Sequence, residues 1–295
     1  MFQMRGVVPP MITPFSESGD LDIDGLKTLV QFLRDEVHGL FVTGSYGSGP
    51  MMSVAERKLV TEVSMREAAG KIPVIPMVGT TNTRDSVALA KHAEDTGAAA
   101  VAAVGPFYFE HDEERLRRFF GELIAAVNVP VYLYNNPKFQ GYPIEFSTVE
   151  KLKSEGLSGV KDATFDILIH ANYLRRLKDE TFDVALGTEA MWISARVLGC
   201  EAFIPGLANA FPEIVVQMFE EGMAGDFDAC RETQFRVNQL RDIMYLARST
   251  QLAIYAMLSI RGVLSSHPRS PFAAATASEV GAIRDALIGM DLIKG

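Results

Sequence analysis

Residues 99–137 read AAVAAVGPFYFEHDEERLRRFFGELIAAVNVPVYLYNNP: a short apolar run, a charged amphipathic stretch, and a second short apolar run. The two flanking runs are too short for buried helices and close on Gly, Pro and small polar residues, as buried strands do. Between them DEERLRRFFGELIAAV (112–127) spaces its apolar residues three and four apart, which predicts a helix. Its charged start, HDEERLRR (111–118), reads as a solvated face. Two strands joined by a helix in this way form a parallel pair with a crossover.

The same alternation recurs along the chain. Eight apolar runs stand out: GVVPPMITP (6–14), GLFVTGS (39–45), IPVIPMVGT (72–80), AAVAAVGPFY (99–108), VPVYLYNNP (129–137), SGVKDAT (158–164), DVALGTE (183–189) and CEAFIPGL (200–207). Helical patterns lie between them, among them DIDGLKTLVQFLRDE, VAERKLVTEVSMREAA and TRDSVALAKHAEDTG. Eight strand–helix units predict a (β/α)8 TIM barrel. A doubly wound sheet would have fewer strands and a glycine fingerprint after the first. Residues 212–293 then read as helix after helix, the first able to close the barrel. The expected organisation is a barrel over 1–224 and a C-terminal helical extension over 225–295, packed on it without a clear linker.

Composition narrows the function. Apolar residues make up 48% and charged residues 22%, which suits a globular enzyme with a sizeable core. The net charge of −9 argues against a nucleic-acid surface, which needs clustered Lys and Arg. No apolar run approaches the roughly 20 residues that cross a bilayer. The opening MFQMRGVVPPMITPF is broken by prolines and lacks a signal-peptide core, so a cytoplasmic protein is expected. Cys200 and Cys230 read as small core residues. The five histidines, at 38, 92, 111, 170 and 267, have no ligand-like spacing, and no metal is expected.

Active sites of such barrels stand at the C-terminal ends of the strands. There the sequence offers Ser45, Tyr46, Thr80, Thr81, Tyr108, Tyr134, Lys161 and Glu189. Lys161 is the odd residue, a cation in a run that otherwise reads as a buried strand. An amine in a low-dielectric interior loses part of its preference for charge and becomes a nucleophile toward carbonyls. The plainer reading pairs it with Asp162 or Glu189. Tyr134, on the neighbouring strand, is either a proton carrier or a packed aromatic. The loop TGSYGSGP (43–50) either cradles an anion with its amides or is a glycine-rich turn.

In order along the chain, GVVPPMITPF, GSYGSG, GPFYF, YLYNNP, GVKDAT, GTEAMWISARVLGCEAFIPGLANAFPE and HPRSPF resemble the dihydrodipicolinate synthase/N-acetylneuraminate lyase family over nearly the whole length. The resemblance implies class I aldolase chemistry on pyruvate or a related 2-oxo acid, with no metal or organic cofactor. It implies Lys161 as the Schiff-base lysine and Tyr134 as the proton-carrying tyrosine. Ser45 and Tyr46 would hold the 2-oxo acid's carboxylate, and Gly44, Phe139, Gly187, Glu189 and Pro205 would complete substrate binding. Tyr108 matches a tyrosine reached across a subunit interface, giving a relay Tyr134–Ser45–Tyr108 in a homo-oligomer, a tetramer or dimer.

Three positions depart from the family pattern. Ser48 stands where the loop usually has glutamate, and Tyr46 where threonine is common. Phe139 stands where true dihydrodipicolinate synthases carry the arginine that grips aspartate semialdehyde; Lys138 beside it is expected to point away. The favoured function is therefore a 2-oxo-3-deoxy sugar acid aldolase or dehydratase, with small 2-oxo acids and aldehydes as partners. The alternatives are dihydrodipicolinate synthase proper and a non-catalytic relative that binds a 2-oxo acid.

Overall fold

The computed structural model describes residues 2–294 and places one strand on each of the eight apolar runs. These are β1 (Gly6–Val7), β2 (Leu40–Val42), β3 (Val74–Pro76), β4 (Val101–Val104), β5 (Val131–Asn135), β6 (Gly159–Asp162), β7 (Asp183–Leu186) and β8 (Ala202–Phe203). Ladders run β4–β5–β6–β7–β8–β1 and β2–β3, all parallel. Two single bridges, Pro10 to Phe41 and Met77 to Ala102, join β1 to β2 and β3 to β4 and close the ring. Pro9, Pro10 and Pro76 have no amide hydrogen, so pairing on this side thins to isolated bridges. The expected (β/α)8 barrel is the fold.

The helices are α1 (Ile23–Arg34), α2 (Val54–Ala68), α3 (Thr83–Asp95), α4 (Glu113–Ala126), the short α5 (Pro137–Gln140), α6 (Phe146–Ser154), α7 (Ile167–Arg176) and α8 (Trp192–Val197). After β8 come α9 (Pro212–Ala224), α10 (Phe227–Met244), α11 (Thr250–Ile260) and α12 (Ala277–Gly289). Asp22, Ser53, Asn82, Asp112 and Asp166 each accept an amide of the first turn that follows. These caps satisfy otherwise orphaned N–H groups and fix where each loop turns into helix. No helix among the described residues is long and apolar enough to cross a membrane.

Two cores result from the period-2 alternation of the strands. Phe41, Ile75, Ala100, Ala102, Tyr132, Tyr134, Ala185 and Ala202 fill the barrel interior. Val42, Val101, Leu133, Val160, Val184 and Phe203 face the helices instead. The interior alanines leave the volume that the two tyrosines and Phe41 occupy. Gly159 serves the same packing, since a Cβ there would stand 2.5 Å from the Tyr132 ring. On β6, Val160 and Asp162 therefore point outward while Lys161 points into the barrel beside Tyr134.

Candidate active site

In the β5–β6 ladder Tyr134 and Lys161 are directly paired. Both side chains open on one cavity of about 180 Å³ at the C-terminal mouth of the barrel. The Lys161 amine lies 3.7 Å from the centroid of the Tyr134 ring and 3.9 Å from that of Phe41. Neither acid proposed as its partner is available. Asp162 is on the opposite face of the strand, where it accepts from Thr164 and pairs with the buried His170 at 3.1 Å. Glu189 is bound to Arg241 at 2.7 Å and accepts the Gly206 amide at 3.2 Å.

Lys161 is 3% exposed, and burial holds its amine well below the ordinary lysine range. The two rings work the other way, since aromatic faces attract cations by about 2 kcal/mol at a desolvated contact. Removing an unpaired ion from water costs several kcal/mol, roughly, so desolvation wins. Burial therefore favours the neutral amine, the form that adds to carbonyls.

Tyr134 is 5% exposed, and burial raises its phenol above the ordinary value. Two groups oppose that shift, Ser45 and Asn136. Ser45 Oγ is 3.5 Å from the phenol oxygen, a long contact. Asn136 Nδ2 donates to the same oxygen at 2.8 Å.

The loop after β2 is shaped for an anion. Thr43 and Ser48 bracket it in left-handed conformations. Among the described residues the amides of Ser45, Tyr46 and Gly47 donate to no protein acceptor, so three N–H groups remain for a carboxylate. The C-terminal helices hold the loop in place. Gln251 of α11 donates to the Tyr46 carbonyl at 2.7 Å and to Ser48 Oγ at 2.8 Å. The Tyr46 hydroxyl is committed to Thr250 at 2.8 Å, and Gly206 admits its ring, since a Cβ there would meet it at 2.6 Å. Burial pushes that phenol far above its ordinary value, so Tyr46 can serve a substrate through its backbone rather than as an acid.

The other expected residues divide. Phe139, Gly187 and Glu189 line the cavity. Lys138 lines it too, against the expectation that it points away, because the short α5 turns that side chain toward the mouth. Gly44 packs beneath the loop against Phe41, and Pro205 is buried beside the lining residues Ile204 and Gly206. Thr80 caps its own loop by bonding to Asn82 and Ser86. Tyr108 is outside the cavity of its own chain, 86% exposed, packed edge-on against Phe109 at a positive φ of 83°. Beside the main cavity lies a second, apolar one that shares Ser45 and Phe139 and is walled by Met51, Met77, Val104 and Phe107.

Asn136, Arg241, Thr250 and Gln251 were not singled out from the sequence. One signal was there for Arg241. Gln234, Asn238, Arg241 and Tyr245 recur at helical spacing and make a polar stripe in an otherwise ordinary amphipathic segment. In the fold that stripe faces the loop after β7: Gln234 donates to the Glu189 carbonyl, Arg241 binds the Glu189 carboxylate, and Tyr245 lines the cavity. No three His, Cys, Asp or Glu side chains among the described residues converge as metal ligands.

Known proteins are similar to this chain in sequence and fold. The sequence profile described as the Dihydrodipicolinate synthetase family matches residues 3–288. A 4-hydroxy-tetrahydrodipicolinate synthase of Methanopyrus kandleri is 32% identical over 274 residues, 92% of this chain and 91% of its own. The solved dihydrodipicolinate synthase of Aquifex aeolicus superposes with a TM-score of 0.92 at 26% identity, over 98% of this chain and 99% of its own. A catalytic-lysine mutant of the sialic acid aldolase of Ruminococcus gnavus does so with a TM-score of 0.92 at 27% identity, over 97% and 95%.

Proposed function

The chain belongs to the dihydrodipicolinate synthetase family, a Schiff-base-forming class I lyase of the pyruvate aldolase type, and from that premise we propose that it cleaves or dehydrates 2-oxo-3-deoxy sugar acids. The observation that carries the chemistry is a buried Lys161 amine, without an ion-pair partner among the described residues, in register with Tyr134.

In the cleavage direction the amine adds to the C2 carbonyl, and the Tyr134 phenol gives its proton to the departing C2 hydroxyl, which leaves as water; an iminium and the Tyr134 phenolate remain. The substrate carboxylate takes the amides of the 45–47 loop. Tyr134 as phenolate accepts the C4 hydroxyl proton; C4 and its oxygen become the aldehyde, and the C3–C4 electron pair moves into C2–C3, neutralising the iminium to an enamine. The phenol then returns the proton to C3. Water hydrolyses the resulting iminium to pyruvate and the free amine, and the proton released restores the Tyr134 phenol.

The polyol part of such a substrate suits what lies beyond Lys161. The Glu189–Arg241 pair carries no net charge, and Thr188, Thr250 and Lys138 stand around it. The apolar cavity beside Ser45 leaves room for Tyr108 of a second copy in the homo-oligomer this reading proposes, a dimer or a tetramer built from two dimers. The test is a panel of 2-oxo-3-deoxy sugar acids and other 2-oxo acids, scored by pyruvate release. Release from none of them, with or without added aldehyde, would remove the lyase reading and leave a binding protein.

A further inference from the structure

Asn136 fills the position between the tyrosine's neighbour and the proline in YNNP, where any residue with the right backbone could start α5. Its side chain is 4% exposed and makes two bonds in opposite directions. Oδ1 accepts the Phe139 amide at 3.3 Å as the cap of α5, and Nδ2 donates to the Tyr134 phenol oxygen at 2.8 Å. The cap fixes which way the amide lies, because a flipped group would set its NH₂ against the Phe139 N–H.

We infer that Asn136 is a positioning residue that sets the direction of proton transfer by Tyr134, by occupying the phenol oxygen with a donor held in place by the α5 cap. The inference rests on the reading of Tyr134 as the proton carrier. With Nδ2–H aimed at the oxygen, the phenol hydrogen must point elsewhere, to Ser45 or to the cavity where the enamine carbon would stand. When the proton has left, the buried oxyanion keeps a bond at 2.8 Å. The Ser45 contact, at 3.5 Å, cannot give comparable support without moving. Burial disfavours the phenolate, and the bonds from Ser45 and Asn136 oppose it, the Asn136 one with the shorter geometry.

The titratable groups around Tyr134 are few. Lys161 faces its ring from β6, and Lys138 and the Glu189–Arg241 pair line the same cavity. Asn136→Asp keeps the capping oxygen and replaces the donor with an acceptor, but it also adds a negative charge to the cavity that Asn136 shares with Lys161 and Lys138, so Asn136→Ser, which adds none, is the deciding variant. Asn136→Ser also caps but is too short to reach the phenol.

The experiment follows exchange of the pyruvate methyl hydrogens in D₂O by NMR across pH, which needs no knowledge of the second substrate. The wild type, Asn136→Asp, Asn136→Ser, Tyr134→Phe and the Asn136→Ser/Tyr134→Phe double variant are compared, with melting temperatures taken alongside. Loss of a hydrogen bond to a charged group predicts exchange slowed by about 10–100-fold in both Asn136 variants, with little change in melting temperature. The pH at which exchange rises should move upward. In the Tyr134→Phe background the Asn136 change should add nothing further, since both act through one oxygen. Wild-type rates and pH profiles in both Asn136 variants would overturn the proposal and leave Asn136 a helix cap. So would a full additional loss in the double variant. Absence of exchange in the wild type would instead overturn the Schiff-base reading and this inference with it.

Discussion

Arg241 Nη1 donates to Glu189 Oε1 at 2.7 Å, and that bond leaves the Lys161 amine without a counter-ion. Asp162 cannot replace Glu189, because it is next to Lys161 on a strand and so points to the other side, toward His170. A lysine held this way is an expense to the fold and an asset to the chemistry.

Borohydride reduction in the presence of pyruvate should therefore label Lys161, read by peptide mass spectrometry. Label on another lysine, or label surviving in Lys161→Ala, would refute the assignment. Lys161→Met should be inactive and, at neutral pH, melt a few degrees higher, because an apolar side chain of similar length replaces a destabilised amine. The sign with pH follows from the lowered value. Between the folded and unfolded values the unfolded chain binds one more proton, so this group makes wild-type stability rise with pH. That slope should be missing in the Met variant.

Tyr134→Phe keeps the ring that packs on Phe41 and removes only the hydroxyl. Activity should fall by about 10²–10⁴-fold, the range of general acid–base groups, with the melting temperature nearly unchanged. A loss under about fivefold would mean that another group moves the proton.

The strands were legible because short apolar runs punctuated by Gly and Pro have one economical arrangement when eight of them alternate with helices. Lys161 and Tyr134 were legible for a related reason, as polar groups in runs that otherwise asked for apolar ones. Gln251 was not, and Arg241 only as part of a polar stripe, because each lies in a helix many residues from the strand end it serves. Only the docking of α10 and α11 over the barrel mouth turns them inward. Asn136 was hidden differently: its backbone position announces a turn, and the 2.8 Å bond to the phenol depends on the side-chain conformation that the α5 cap imposes.

The His170–Asp162 pair gives a pH signature outside the cavity. Burial pulls the imidazole's pKa down, but the Asp162 bond and the Cys200 contact push it up to about 9. A raised value contributes stability that is fully present below about pH 6.5 and is lost as pH rises through about 9. His170→Gln should therefore lose most stability at pH 6 and least above pH 9, a difference on the order of 3 kcal/mol by linkage. A destabilisation that is the same at every pH would show that the histidine is neutral in the folded protein.

Tyr108 holds an uncommon backbone conformation while its ring stands in solvent. Strain of that kind, about 1–3 kcal/mol, persists where something else uses the geometry. Sedimentation should show an oligomer at assay concentrations, and Tyr108→Ala should lower activity without lowering the affinity for pyruvate. A fully active monomer would take Tyr108 out of the relay.

The substrate question turns on Phe139. Relatives named 4-hydroxy-tetrahydrodipicolinate synthase make condensation of pyruvate with aspartate semialdehyde the natural rival, and that reaction needs a cation for a second carboxylate. Phe139 offers a ring at the cavity edge, 56% exposed. Three arginines that could stand in are already engaged, Arg261 with Glu213 at 3.0 Å, Arg269 with Glu56 at 2.5 Å, and Arg241 with Glu189. Lys138 remains, a flexible point charge that cannot form the two parallel bonds of a guanidinium. Losing such a partner costs roughly 2–5 kcal/mol, more than a hundredfold in most of that range. Semialdehyde condensation should accordingly stay below the ordinary enzyme range of about 10⁴ M⁻¹s⁻¹ in kcat/KM, while 2-oxo-3-deoxy sugar acids are cleaved within it. Phe139→Arg should raise the condensation by about tenfold or more, because it restores the bidentate grip without touching Lys161 or Tyr134. Efficient condensation by the wild type, or no gain in the variant, would return the chain to the synthase reading that its relatives' names suggest.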